Sequence, residues 1–74
     1  MDEQLLDAAR GGDVDAIVKV GQECEKVKDF EEAMRWYRRA VEADNAEAMR
    51  LVGRLYFGGR GVSQNYEEAM KWYV

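Results

Sequence analysis

Cys24 is the residue best equipped for covalent chemistry, yet the chain has no histidine to activate it and no second cysteine to resolve an oxidised sulfur. Its type and surroundings therefore predict a packing role. The adjacent acids Glu31-Glu32 and Glu67-Glu68 invite comparison with general acid/base pairs, but neighbours on a helix diverge by about 100°, so each pair splits between two faces. They suit helix starts, where negative charge opposes the dipole, and ion pairs with Arg35 and Lys71 one turn on. Gly58-Gly59-Arg60-Gly61 resembles a phosphate cradle only superficially, since it follows a helical pattern and lacks the Lys-Ser/Thr that completes a nucleotide loop. Arg60 is nonetheless well presented to meet a partner's carboxylate. Arg35-Trp36-Tyr37-Arg38-Arg39 alternates cations and aromatics as single-strand binders do, but helical periodicity sends Tyr37 to an apolar stripe and spreads the arginines around the polar side. With thiol and imidazole nearly absent and carboxylates scattered along helix faces, no metal site is expected. These residues predict no enzyme, cofactor or small-molecule substrate.

The bulk properties narrow the class further. At 74 residues the chain is one small domain or part of one, and with 47% hydrophobic and 35% charged residues and no proline it reads as globular. A net charge of −4 opposes nucleic-acid binding and favours a basic or neutral partner. No apolar run reaches the roughly 20 residues needed to cross a bilayer, so no membrane partner is expected. A single cysteine fits a reducing compartment, the cytoplasm by default.

The elements that carry these residues are set by an internal repeat. Phe30-Glu31-Glu32-Ala33-Met34-Arg35-Trp36-Tyr37 returns as Tyr66-Glu67-Glu68-Ala69-Met70-Lys71-Trp72-Tyr73, identical at six of eight positions. Asp2 caps a first short helix with Leu5, Leu6 and Ala9 on its apolar side, ended by Gly11-Gly12. Asp13 begins a second, striped by Ala16, Ile17, Val20, Gly21, Cys24 and Val27 at spacings of three and four. Asp29 with Glu32, Asp44 with Glu47, and Asn65 with Glu68 read as capping boxes for three more helices. Val20-Gly21 recurs as Val52-Gly53 after 32 residues, whereas Trp36 recurs as Trp72 after 36. The difference lies in the glycine loop between them. Gly21 and Gly53, facing Ala33, Ala40 and Ala69, should let helices cross closely.

Residues 16 to 45 resemble a tetratricopeptide repeat through Ile17, Val20, Gly21 and Cys24, followed by Ala33, Tyr37 and Ala40. Residues 46 to 74 resemble its longer relative, the Sel1-like repeat, through Val52-Gly53-Arg54-Leu55-Tyr56, Gly59-Arg60-Gly61-Val62 and Ala69-Met70-Lys71-Trp72-Tyr73. Asn45 stands where the first family usually has proline, and Ser63 and Asn65 where the second often has proline and aspartate. The resemblance implies an all-α, α-solenoid-type fold of two antiparallel helix pairs. A capping helix is expected over 1–12, one repeat over 13–45 and a second over 46–74. It also implies a non-enzymatic scaffold that binds a protein or peptide in a groove lined by the first helix of each pair. Position by position, Asp15, Val18, Gln22, Glu25 and Lys26 face that groove from the first repeat, and Glu47, Arg50, Arg54 and Phe57 from the second. Val18 and Gln22 occupy the places where some tetratricopeptide proteins use lysine and asparagine to clamp a terminal carboxylate, so that activity is not expected.

The last helix is cut short at Val74, and stacked repeats bury their faces on neighbours. Tyr56, Met70, Trp72 and Tyr73 are therefore expected to form an open apolar end, with Trp72 uncovered. The alternative function is self-assembly through that end into a homo-oligomer or helix swap, as a natural fragment or an engineered scaffold would.

Overall fold

A polar side chain opens each helix by accepting a bond from a backbone amide that the helix itself leaves unpaired. In the computed structural model, which describes residues 2–73, Asp2 takes the amide of Gln4, Asp13 that of Ala16 and Asp29 that of Glu32. Asn45 takes that of Ala48 and Asn65 that of Glu68. The helices that follow are α1 (Glu3–Arg10), α2 (Val14–Lys26), α3 (Phe30–Glu42), α4 (Ala46–Gly58) and α5 (Tyr66–Trp72). No strand occurs among the described residues. The fold is all-α.

One cap differs from expectation. Asn45, not Asp44, opens α4. Asp44 adopts a left-handed backbone with φ of 60° at the reversal after α3, a conformation aspartate tolerates better than most residues. It cannot also hold the extended geometry of a cap, which passes to Asn45. Glu47 is then left without a reciprocal capping role and stands in the first turn, where its charge suits the helix dipole. Lys28 makes the same left-handed step, with φ of 63°, just before the Asp29 cap. The two reversals are built alike.

Each helix packs chiefly on its neighbours in chain order, and the Cα atoms span 36 × 25 × 12 Å. The core between the helices consists of small and medium apolar residues around Tyr37, Leu55, Val20 and Val52, the largest side chains that are fully enclosed. Two glycines set the helix spacing. A Cβ at Gly21 would overlap the ring of Tyr37, so α3 approaches α2 only because that position is bare. At Gly53 a Cβ would stand 2.9 Å from Cβ of Trp72 and 3.1 Å from the carbonyl oxygen of Ala69. That second neighbour is α5 backbone and cannot rotate away.

Gly53→Leu is expected to lower the unfolding free energy in urea by roughly 1–3 kcal/mol net, overpacking outweighing the roughly 1 kcal/mol of helix propensity that replacing glycine returns. An unchanged midpoint would contradict this crossing.

Candidate functional site

The exposed sides of α2 and α4 enclose a groove of about 800 Å³. From α2 come Lys19, Gln22, Glu23, Glu25 and Lys26; from α4 come Leu51, Arg54, Leu55 and Phe57. Leu5 of α1, Phe30 at the start of α3 and Arg60 of the glycine loop complete the wall. The loop is pinned at Gly61, whose φ is 74° and where a Cβ would lie 2.6 Å from the Phe30 carbonyl oxygen. That approach carries the Arg60 guanidinium over the Phe30 ring, 5.2 Å from its centroid.

Two smaller hollows extend this surface. One joins Asp15, Val18, Lys19 and Gln22 to Asn45 and Glu47; the other joins Glu47, Arg50, Leu51 and Arg54 to Tyr73. Gln22 and Arg54 each belong to the main groove and to one hollow, so the residues expected from the two repeats border connected depressions. Their accessibility is uneven. Val18 is only 4% exposed and belongs to the core, because the α2 stripe widens at its first turn to include it. It offers a partner little area. Phe57, by contrast, is 51% exposed and meets the Tyr66 ring at a centroid distance of 5.0 Å.

Glu25 and Arg54 are not independent anchors. The Tyr37 hydroxyl donates to Glu25 Oε2 at 2.8 Å, and Arg54 Nη2 donates to both carboxylate oxygens of Glu25, at 2.8 Å to Oε1. The Glu25 side chain is only 16% exposed while Arg54 remains 56% exposed. The pair thus has one sheltered end on the core and one wet end in the groove, and it ties α2 to α4. Burial, followed by the hydrogen bond to Glu25, pushes the Tyr37 phenol well above its ordinary value. The sequence indicated both charged residues but not their pairing, which joins positions 29 apart. Leu5, Lys19, Glu23, Phe30, Leu51 and Leu55 were not anticipated as lining residues, although Lys19 lies one turn from Asp15 and Gln22, and Leu51 one turn from Glu47 and Arg54, on the same helix faces.

The residues singled out for an open end divide. Met70 is 63% exposed and Tyr73 42%. Trp72, expected to lie uncovered, is half-buried, because Gly53 gives its side chain room against α4. Tyr56 is half-buried as well, and its hydroxyl accepts from Arg38 Nη2 at 3.1 Å.

Cys24 is buried in the core, and its burial, then the carboxylates of Asp29, Glu32 and Glu23, push the thiol upward. A thiol held protonated is a poor nucleophile. Among the described residues, no group of three or more potential metal ligands gathers and no helix is long and apolar enough to cross a membrane.

Stacked helix pairs with an elongated groove on their first helices define a helical-repeat protein, of the kind that binds other proteins. The Sel1 repeat model matches residues 16–45 and again 46–74, and the chain belongs to that family. Sel1 repeats mediate protein–protein interaction. Over 46 residues, 62% of this chain, it is 41% identical to the chitin synthase regulator SKT5 of Saccharomyces cerevisiae, of which the match covers 7%. No solved structure matches the chain.

Tyr37→Phe removes the phenol that supports Glu25 and is expected to lower stability by roughly 0.5–1.5 kcal/mol at neutral pH. Because the folded-state phenol titrates above the unfolded one, its contribution is complete below about pH 10 and declines as pH rises beyond that. Urea melts at increasing alkaline pH should therefore show the parent's advantage over Tyr37→Phe shrinking. A constant difference would contradict the burial of this hydroxyl.

Proposed function

We propose that this chain is a non-enzymatic docking module that holds a segment of another protein in the groove between α2 and α4. The observation carrying the reading is the groove itself, about 800 Å³ in volume with polar side chains beside the apolar Leu51 and Phe57. Such a mixture is suited to recognition, apolar contacts supplying affinity and polar ones fixing orientation. Gln22, Lys26, Arg54 and Phe57 are the expected residues that open onto it, with Glu25 holding Arg54 in place. Glu47 and Arg50 extend the surface through the adjoining hollow. In this reading residues 13–45 and 46–74 are the two repeats and α1 covers the outer face of the first. The similar segment in SKT5 belongs to a regulator of another protein, which accords with docking. The cytoplasmic setting rests on Cys24 being the single cysteine of the sequence.

Peptides selected from a random displayed library on the parent chain should bind Phe57→Ala about tenfold more weakly and Glu42→Lys, which lies outside the groove, equally well. Selected peptides indifferent to Phe57 would contradict the reading.

A second reading, self-association through α5, is favoured by one observation: Tyr66, Met70 and Tyr73 are all largely exposed within a single short segment. Light scattering over a concentration series should show a mass that rises in the parent and stays monomeric in Met70→Glu. A parent that is monomeric throughout dismisses it.

A further inference from the structure

The chain is acidic overall, but its unengaged positive charge is not evenly distributed. Among the described residues, Arg10, Lys26, Arg35, Arg54 and Lys71 have carboxylate partners, and Arg38 and Arg39 donate to Tyr56 and to the Ala9 carbonyl. That leaves Lys19, Lys28, Arg50 and Arg60 without an ion pair or hydrogen bond. Two of these four, Lys19 and Arg60, stand on the main groove, while Arg50 stands on the adjoining hollow, which Glu47 also lines. The carboxylates of the main groove, Glu23 and Glu25, are already occupied, by Lys26 at 3.0 Å and by Arg54. The main groove therefore presents positive charge in excess, beside apolar side chains, on a molecule whose net charge is −4.

Arg60 is also held rather than free to wander. Its guanidinium is stacked on Phe30, and the loop that carries it is seated by Gly61 against the Phe30 backbone. A cation fixed over an aromatic face, with its hydrogen-bond donors unspent, has lost side-chain freedom before a ligand arrives, which lowers the entropic cost of binding.

We propose that the occupant of this groove is an acidic protein segment that places carboxylates on Lys19 and Arg60 and at least one large apolar side chain against Leu51 and Phe57. This rests on the docking reading above and specifies the chemistry of the partner. Charge complementarity selects it: within the main groove a basic segment would meet Lys19 and Arg60 while both carboxylates there are already paired, the free carboxylates of Asp15 and Glu47 standing in the adjoining hollows. Arg54 adds directional selectivity, because Glu25 fixes the guanidinium from below and leaves its outer edge to the ligand.

The test uses the whole chain and a random twelve-residue peptide library displayed on phage, followed by fluorescence anisotropy of the enriched peptides. The enriched pool should exceed the starting library in Asp and Glu while containing large apolar residues, and binding should weaken by about tenfold or more between low and high salt. Lys19→Glu with Arg60→Glu should reduce affinity by at least about tenfold. Lys28→Glu with Lys71→Glu, which changes net charge equally but outside the groove, should have little effect. Circular dichroism melts confirm that both double variants fold, all four positions being exposed. Enriched peptides that are neutral or basic, yet still weakened by Phe57→Ala, would overturn the acidic-segment proposal and leave the groove reading standing. Equal losses in the two double variants would overturn it too. Failure to enrich any peptide sensitive to Phe57 would overturn both.

Discussion

The contact on which the rest of this small molecule depends is the ring of Tyr37 lying against the bare backbone of Gly21. Tyr37 is fully enclosed and is the largest side chain that is, so a substantial share of the core's apolar area comes from one residue whose place exists because another has no side chain. The same residue carries a polar connection that runs from the core to the surface. Its hydroxyl supports Glu25, Glu25 grips Arg54, and Arg54 belongs to the next repeat. Apolar packing therefore sets how closely α2 and α3 approach, and a charge-assisted hydrogen-bond network ties that pair to α4. Hydrogen bonds to charged groups are stronger than neutral ones, and shelter by the core strengthens them further.

The second repeat repeats the packing but not the polar link. Gly53 stands where Gly21 does, and Trp72 and Ala69 press on it with Tyr73 alongside, the aromatic ring 3.4 Å from where a Cβ would be. Tyr73 occupies the place of Tyr37, yet it is 42% exposed where its counterpart is buried. α4 covers Tyr37, and no described element covers Tyr73. With the 32-residue offset, the position of Glu25 becomes Phe57, so the second tyrosine has no carboxylate below it and the groove acquires an aromatic wall instead. One substitution between the repeats thus replaces a buried structural anchor with an exposed aromatic side chain on the groove.

The fold was legible because its signals are local. The eight-residue repeat, the stripes at three- and four-residue spacing and the polar residue at each helix start rest on interactions within one or two turns, although Val27, expected on the α2 stripe, is 76% exposed because the helix ends at Lys26. Even there the α4 cap moved by one residue, since the choice between Asp44 and Asn45 depends on which of them the chain reversal forces into left-handed geometry. The candidate site was legible by analogy of position only. Gln22, Lys26, Arg54 and Phe57 do open onto the groove, but the widened stripe of α2 draws Val18 inward, and Gly53 draws Trp72 toward α4. The pairing of Glu25 with Arg54 joins residues far apart in sequence, which no local pattern encodes. Net charge is likewise a property of the whole chain. It pointed to a basic or neutral partner, whereas the acidic occupant proposed above rests on the two cations left in the main groove once the internal ion pairs are subtracted.

The most direct test of this account is amide chemical-shift mapping by NMR, with the isotopically labelled chain titrated with a library-selected peptide. Shifts concentrated on Lys19, Gln22, Leu51, Arg54, Phe57 and Arg60 would place the ligand between α2 and α4, as the packing of Tyr37 on Gly21 and the Glu25–Arg54 link require. Shifts confined to the outer face of α3 or to the exposed side of α5 around Met70 would contradict it, showing that the groove is a consequence of stacking and that recognition takes place elsewhere.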